Sequence, residues 1–446
     1  MIVIIGHSNT DNDCLASMIL CKYLYNDAVL IKSGLIHPAA KKLYSLYSDY
    51  FQFKTLSEIN IDDIEKIVIV DTRTRNRLLE YEKVLSKSSV PVDIIDHHIN
   101  DSFDLENAQL ISMDTGANVT IIALKLIEKK IMISREDATI ALAGLYADTG
   151  NFTHLNTTKD DFLVGQYLLS CNADLKIVIS SVQSIQSEGQ ISIFHDLLNH
   201  LTFKNINGHN VVLSFMELPS QQSGISAVVE KVFEIENPDA IFCFFTFDDS
   251  EKAIIIGRSK TEEISINAIL SAFGGGGHDL AGSAKVKKSE IFELYNSFVV
   301  TLQSVIVRAR TVADIMSKEV NTIREKWSIK EASIFLESIN QTGAPVVDDN
   351  LKITGFISLR DIMKARKSSE MSSPVSAYIR KKVITGTPSM NIKEVEEIFQ
   401  KYNIGHLPIL QDDILVGIVT RKDIIESISG KKIEQQIIIQ NNDAVL

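Results

Sequence analysis

At 446 residues, 45% of them hydrophobic, the chain is too long for one ordinary domain and apolar enough for several cores, so roughly two to four domains are expected. A net charge of −12 excludes a broad electrostatic grip on duplex DNA or an anionic membrane, while a short anionic substrate held by metal ions stays compatible. Cys14, Cys21, Cys171 and Cys243 form no CxxC pair, which excludes the usual signatures of a disulfide framework or a structural zinc site. Met1 runs straight into an apolar strand with no signal-like segment, and no apolar run reaches membrane-span length; a soluble, cytoplasmic protein with no membrane partner is expected.

In chain order, the first region alternates apolar runs with helical segments. IVIIG at the N-terminus leads into His7, Asp11 and Asp13; KIVIV leads into Asp71; VDII leads into Asp96, His97 and His98. Unbroken apolar runs of this kind suit strands covered on both faces of a parallel sheet, and ligands of open α/β sheets sit beyond the carboxyl ends of such strands. CLASMILCKYLY and ANVTIIALKLIEKK read as amphipathic helices, and ATIALAGLYADTGNF as a helix that delivers Asp148 beside Gly150. Residues 1–185 are therefore expected to form a doubly wound α/β domain with a parallel sheet. The segment KDDFLVGQYLLSCNADLKIVISSVQ, helical in period and broken at Asn172, leads out of it.

NVVLSFMEL, DAIFCFFTFDD and KAIIIGRSK are strand-like; FGGGGHD and a long amphipathic helix follow, so residues 190–308 read as a smaller α+β domain. The glycines Gly274 to Gly277 can take positive φ and present N–H groups to an anion, with His278 and Arg258 adding charge, although glycine runs are more often plain turns. Residues 311–368 and 372–430 repeat internally: Thr322 matches Thr385, Pro345 matches Pro408, Gly355 matches Gly417 and Asp361 matches Asp423. Each copy reads strand, helix, strand, strand, helix, and the two are expected to pack as one pseudo-symmetric module. Residues 431–446, with QQIIIQ, read either as a tail or as an interface strand.

A two-metal phosphoryl hydrolase needs ligands for two divalent ions about 3.5 to 4 Å apart and a carboxylate that bridges them. His7, Asp11, Asp13, Asp71, His97 and Asp148 supply that number, and mixed carboxylate and imidazole ligation suits manganese, with iron, cobalt or zinc as alternatives. Each acid alone also has a structural reading, since Asp11 and Asp13 can cap the helix near Cys14 and Asp71 can cap a turn. Four acid-bearing segments that follow apolar runs favour a shared cavity. Arg73, Arg75 and Arg77 read as a solvated or salt-bridged loop ahead of phosphate contacts, His154 as a turn histidine ahead of a substrate contact, and Cys14 as packing.

The set His7-Ser-Asn-Thr-Asp11-Asn-Asp13, Asp71 after IVIV, Asp96-His97-His98 and Asp148-Thr-Gly resembles the motifs of the DHH phosphoesterase superfamily. Position by position, the resemblance implies that His7, Asp11 and Asp71 hold one ion and that Asp13, Asp71, His97 and Asp148 hold the other. Asp71 would be the bridge, Asp96 would orient His97, and His98 would contact the substrate phosphate. GGGGH followed by Ala281 and Gly282 is similar to the signature of the DHH-associated domain of RecJ-like exonucleases, nanoRNases and cyclic-dinucleotide phosphodiesterases, with Leu280 where alanine is common. It implies substrate binding by Gly275, Gly276, Gly277, His278 and Arg258, and it tells against inorganic pyrophosphate, whose hydrolases in this superfamily carry a different second domain.

GFISLRD and GIVTRKD resemble CBS-domain ligand motifs, which implies AMP or ATP with Ser358 or Thr420 near a phosphate and Asp361 or Asp423 near a ribose diol. Helix capping is the plainer alternative. A CBS pair also implies a homodimer. The domain order resembles the front part of bacterial chains that continue into a tRNA nucleotidyltransferase or poly(A) polymerase; no such segment follows here, so polymerase activity is not expected. The expected activity is that of a manganese-dependent phosphodiesterase that cuts short oligonucleotides or dinucleotides to mononucleotides, with two divalent ions and an adenine nucleotide effector. The alternatives are a 3′-phosphoadenosine phosphate or cyclic-dinucleotide phosphoesterase, or a non-catalytic nucleotide sensor acting on a partner enzyme.

Overall fold

Five parallel strands, β1 (Ile2–Gly6), β2 (Val29–Ile31), β3 (Lys66–Val70), β4 (Val92–Asp96) and β5 (Ala108–Ser112), form the first sheet in the order β2-β1-β3-β4-β5. The structure is a computed structural model describing residues 1–429 other than 87–89, 100–104, 106–107, 183–184, 186, 262, 351 and 380–381. Residues 431–446, read as a tail or interface strand, lie outside the described residues. Alternate side chains of each strand enter different cores. Ile4, Val68, Val70 and Ile95 pack with helices α1 (Asn12–Cys21), α2 (Asn118–Glu128) and α3 (Arg135–Asp148), whereas Val3, Ile5, Ile67, Ile69 and Ile94 pack with Leu78, Tyr81 and Val84. Burial on both faces is why the sequence shows continuous apolar runs rather than alternation. The strand order reverses between β1 and β3, the position where doubly wound sheets open a crevice for ligand.

Helix α1 differs from its expected form. It ends at Cys21, and all ten of its residues are buried, because it packs against both α2 and α3 as well as the sheet. A helix enclosed on all sides carries no polar face. The next helical segments, Lys159–Ser170 and Leu175–Ser181, break around Asn172, which adopts φ 63°, as its sequence anticipates. The short strands β2 and β5 escape the sequence reading: β2 has three residues, and β5 carries Gln109 and Ser112 on the sheet edge.

A second sheet of six strands has the order β10-β11-β9-β8-β7-β6. Its members are β6 (Leu201–Ile206), β7 (His209–Leu218), β8 (Ala240–Phe247), β9 (Lys252–Ser259), β10 (Gly276–Gly277) and β11 (Ala281–Lys287). The repeat follows. Its first copy has strands Ile323–Arg324, Gly343–Val347 and Ile353–Ser358 with helices Ile329–Ser338 and Leu359–Lys367. The second has strands His406–Gln411 and Ile414–Thr420 with helices Ile392–Tyr402 and Arg421–Ser429, and its first strand shrinks to one parallel bridge, Gly386 to Ile409. The lead-in segments cross over. Val312 is buried among Val395, Leu407 and Val419 of the second copy, and Val375 among Ile323, Leu336 and Ile357 of the first. The packed halves therefore exchange segments that the sequence repeat assigns to the other side. Among the described residues, no helix is long and apolar enough to cross a membrane.

The close approach of α3 to α1 depends on Gly144: a Cβ there would lie 2.7 Å from the Ala16 Cβ, 2.9 Å from the Asn12 carbonyl oxygen and 3.1 Å from the Asp13 Cα. Gly144→Ala is expected to overpack this contact at a cost of about 1 to 3 kcal/mol, read as a lower Tm by differential scanning calorimetry. An unchanged Tm would mean the two helices yield without strain.

Candidate metal centre

All six expected ligands come together at the carboxyl ends of β1, β3 and β4 and at the facing ends of α1 and α3. Asp71 stands at the centre. Its residue follows β3 directly and takes φ 61°, a left-handed conformation that aspartate tolerates better than most residues but that still costs about 1 kcal/mol. Its backbone N–H donates to the Ile95 carbonyl (2.9 Å), which fixes the turn. One carboxylate oxygen, Oδ2, lies 3.3 Å from His7 Nε2; the other, Oδ1, lies 3.5 Å from His97 Nε2.

Each imidazole leads to a further set of oxygens. His7 Nε2 is 3.4 Å from Asp11 Oδ2, while His97 Nε2 is 3.6 Å from Asp148 Oδ2 and 4.0 Å from Asp13 Oδ2. Most of these separations are long for hydrogen bonds and lie close to the spacing of about 3 to 3.5 Å expected of two donors each about 2.1 Å from one ion. His7 Nε2, His97 Nε2 and Asp71 Oδ1 are buried without a hydrogen-bond partner, although such atoms are rarely left unsatisfied. The donor set thus fits two divalent ions that share Asp71.

Backbone contacts hold these donors in place. His7 Nδ1 lies 2.8 Å from the Ser8 carbonyl and His97 Nδ1 3.0 Å from the Thr115 carbonyl. A carbonyl only accepts, so both Nδ1 atoms carry hydrogen, and Nε2 is the nitrogen of each ring that faces the carboxylates. Asp13, inside the first turn of α1, accepts from the N–H groups of Asn118 (2.6 Å) and Val119 (2.9 Å) at the start of α2. Asp11 both caps α1, accepting from the Cys14 N–H at 3.0 Å, and turns its second oxygen to His7. The cap uses one oxygen of Asp11 and leaves the other beside His7.

Charge in the cleft is unbalanced. Burial, followed by the Asp71 carboxylate, pushes Asp13 up to about 7. Desolvation, then Asp13, Asp11 and Asp71, raises Asp148. Burial alone would lower His97, but Asp71, Asp13 and Asp148 outweigh it and push it up to about 10. Against burial, Cys14, Asp11 and Asp71 raise His7, and His7 with His97 lowers Asp71.

One expected role moves. Asp96 does not touch His97: its Oδ1 lies 2.7 Å from His98 Nδ1, and its Oδ2 accepts from Arg73 Nε at 2.5 Å. The strand alternation after β4 turns the Asp96 side chain away from His97, whose partner is Thr115 instead. Arg73, read as a solvated or salt-bridged loop residue, is a buried ion-pair residue that also donates to Ser112 Oγ (2.7 Å). His98 and Arg73 together outweigh burial and hold the Asp96 carboxyl below the usual range. Arg75 pairs with Glu82. His154 Nδ1 donates to the Asp148 carbonyl (3.0 Å), the turn role expected of it. His37 follows no apolar run and escapes the sequence reading; burial lowers it, it lies near the charges of Asp11 and His7, and its backbone N–H donates to the Thr10 carbonyl (2.9 Å).

The glycine run is a tight hairpin. Gly276 and Gly277 pair antiparallel with Ser283 and Gly282, and Gly277 has φ 144°. A Cβ at Gly275 would meet the Ala284 Cβ at 2.5 Å and one at Gly277 the Ala281 carbonyl oxygen at 2.3 Å, so close backbone approach requires glycine here. The N–H groups of Gly274, Gly275 and His278 donate to Ser271, Leu270 and Ala281 carbonyls. His278 is exposed, and Arg258 on β9 donates to the Gly257 carbonyl (2.9 Å).

In the repeat module, a cavity of about 390 Å³ is lined by residues of both copies, including Ser358, Asp361, Lys382, His406 and Arg421. Ser358 Oγ donates to Asp361 Oδ2 (2.6 Å), and Thr420 Oγ1 to Asp423 Oδ2 (2.7 Å), so both pairs form helix capping boxes. Ser358 and Asp361 border the cavity as well; Thr420 and Asp423 do not.

Residues 1–145 match the DHH family, N-terminal domain, and residues 312–368 and 375–430 match the CBS domain. The A-adding tRNA nucleotidyltransferase of Geobacter sulfurreducens is 29% identical over 426 residues, which cover 95% of this chain and 48% of that protein. That of Aquifex aeolicus is 30% identical over 431 residues, covering 96% and 50%. The chain spans about half the length of these curated relatives. An exopolyphosphatase-related protein from Bacteroides fragilis shares the fold at a TM-score of 0.55 and 18% identity, over 68% of this chain and 93% of the other. The chain thus joins a DHH N-terminal domain to a C-terminal CBS pair, an arrangement consistent with the DHH superfamily.

Mn2+ added to the metal-free protein is expected to raise Tm, by about 2.7 kcal/mol of stability at 100-fold over Kd. Asp148, its pKa raised on folding, costs stability at neutral pH where the unfolded chain ionises it freely. Asp148→Asn is therefore expected to raise the Tm of the metal-free protein and to shrink the rise that Mn2+ produces, both measured by thermal scanning. A Tm indifferent to Mn2+ would remove the two-ion reading.

Proposed function

We propose that this chain is a divalent-metal phosphodiesterase that hydrolyses short oligoribonucleotides or dinucleotides to mononucleotides, with manganese the expected ion and adenine nucleotide in the CBS cavity adjusting the rate. The observation that carries this reading is the buried Asp71 carboxylate, with one oxygen toward each of two separate imidazole and carboxylate sets. His7, Asp11 and Asp71 would hold one ion, and Asp13, Asp71, His97 and Asp148 the other. When bound, such ions polarise a phosphoryl oxygen and make water acidic enough to attack phosphorus.

The residues around them bind and orient. His98, held through Nδ1 by Asp96, offers its other ring nitrogen to a phosphate oxygen, and Arg73 fixes Asp96 by charge-assisted hydrogen bonds. Asp71, Asp96 and His98 are thus the catalytic set of this reading. Arg258 and His278, beside Gly275, Gly276 and Gly277, are proposed as substrate contacts by their side chains, because the N–H groups of Gly274, Gly275 and His278 already donate to backbone carbonyls. The tRNA named in the two curated relatives supports RNA as the substrate class, and the net charge of −12 supports a short one. In the cavity of the CBS pair, Lys382 and Arg421 would meet phosphate and Asp361 a ribose diol. A homodimer belongs to the same proposal.

The test gives purified protein with Mn2+ a 5′-labelled RNA dimer, a longer oligomer, cyclic di-AMP and 3′-phosphoadenosine phosphate, each with and without AMP or ATP. Release of mononucleotides from the RNA dimer is expected. Turnover confined to cyclic di-AMP or 3′-phosphoadenosine phosphate would replace the substrate, and binding of AMP with no turnover of any ester would favour a sensor acting on a partner enzyme. Arg73→Gln is expected to lower turnover by about 10- to 100-fold at unchanged metal content, the size usual for groups that orient a site from behind. Equal turnover in that variant would strip Arg73 and Asp96 of their orienting role.

A further inference from the structure

We propose that the Cys14 thiolate is a donor to the ion held by His7 and Asp71, so that this half of the centre selects a softer ion, zinc or cobalt, while the half built on Asp13, His97 and Asp148 takes manganese. The inference rests on the two-ion reading and refines it. The Cys14 Sγ, a His7 ring nitrogen and an Asp71 carboxylate oxygen all lie within 4.8 Å of one another. All three side chains are buried, Cys14 completely.

Sγ lies over Gly6, only 2.1 Å from where a Cβ on that residue would stand, so glycine at the end of β1 is what leaves room for the thiol at this position. Independently, His7 Nε2 is buried with no hydrogen-bond partner on the side that faces Asp11 and Asp71. The second group of donors, Asp13, His97 and Asp148, contains no sulfur. Thiolate ligands favour zinc and related ions, and carboxylates favour manganese, so the two halves differ in the chemistry of their donors. As the sulfur–metal bond forms, the thiol proton leaves to solvent. Cys21, Cys171 and Cys243 join none of the donor groups among the described residues.

Titration of metal-free full-length protein with Co2+, followed by absorption, tests the assignment. The expected result is visible cobalt bands that saturate with two ions per chain, together with a near-ultraviolet thiolate-to-cobalt charge-transfer band that is lost in Cys14→Ser and in Cys14→Ala while visible bands remain. Bands in the visible without the near-ultraviolet band would overturn the role of Cys14 and leave the two-ion centre standing. A near-ultraviolet band that survives both substitutions would also overturn it, since another cysteine would be the source. No visible bands at all in the unsubstituted protein would overturn both this inference and the metal centre beneath it.

Discussion

The arrangement of the first domain depends on one carboxylate that is buried, ionised and shared. Asp71 leaves β3 in a left-handed turn, and burial by itself would neutralise it; His7 on one side and His97 on the other keep it charged. Two buried imidazoles can in turn be tolerated only because that charge lies between them. The three groups come from three strands, so the register of β1, β3 and β4 determines whether the cluster exists at all. Apolar strand and acidic terminus are parts of one constraint: the sheet must be dry enough to fix the register and must end where polar groups can face one another.

Around this core the restraints are graded. His7 and His97 are anchored to backbone carbonyls, which cannot change charge and scarcely move. Asp13 is anchored to backbone amides of a neighbouring helix. Asp96 and His98, by contrast, depend on a side chain, Arg73, itself held by Ser112 from the edge strand. His7, His97 and Asp13 are thus held by backbone, whereas Asp96 and His98 are held by a chain of side chains.

Much of this was legible in the sequence because the chemistry-bearing residues follow the strands immediately, and strand ends are marked by the switch from apolar to charged residues. Asp11, Asp13, Asp71, His97 and Asp148 needed only that. Arg73 was legible as a charge but not as a buried one, since its partner Asp96 lies in another strand and pairing across strands leaves no local pattern. Assigning Asp96 to His97 rather than His98 failed for the same reason: adjacency along the chain says nothing about which way a side chain leaves the strand end. The segment from Cys14 reads as amphipathic because Lys22 and the tyrosines near it follow the apolar run, but the helix stops at Cys21, and its polar residues Asn12, Asp13 and Ser17 are all buried. The glycine hairpin misled in a different way, because close packing of two backbones demands the same residues as an anion cradle.

The exchange of lead-in segments within the CBS pair has its own consequence. With Val312 plugged into the second copy and Val375 into the first, each half lends the other a piece of its hydrophobic interior. Neither half is therefore a self-sufficient folding unit, and cutting the chain between them would leave a hole in both. The cavity lined by both copies then lies at a seam whose two walls cannot drift apart without exposing buried aliphatic groups, which ties the shape of the cavity to the integrity of the whole pair.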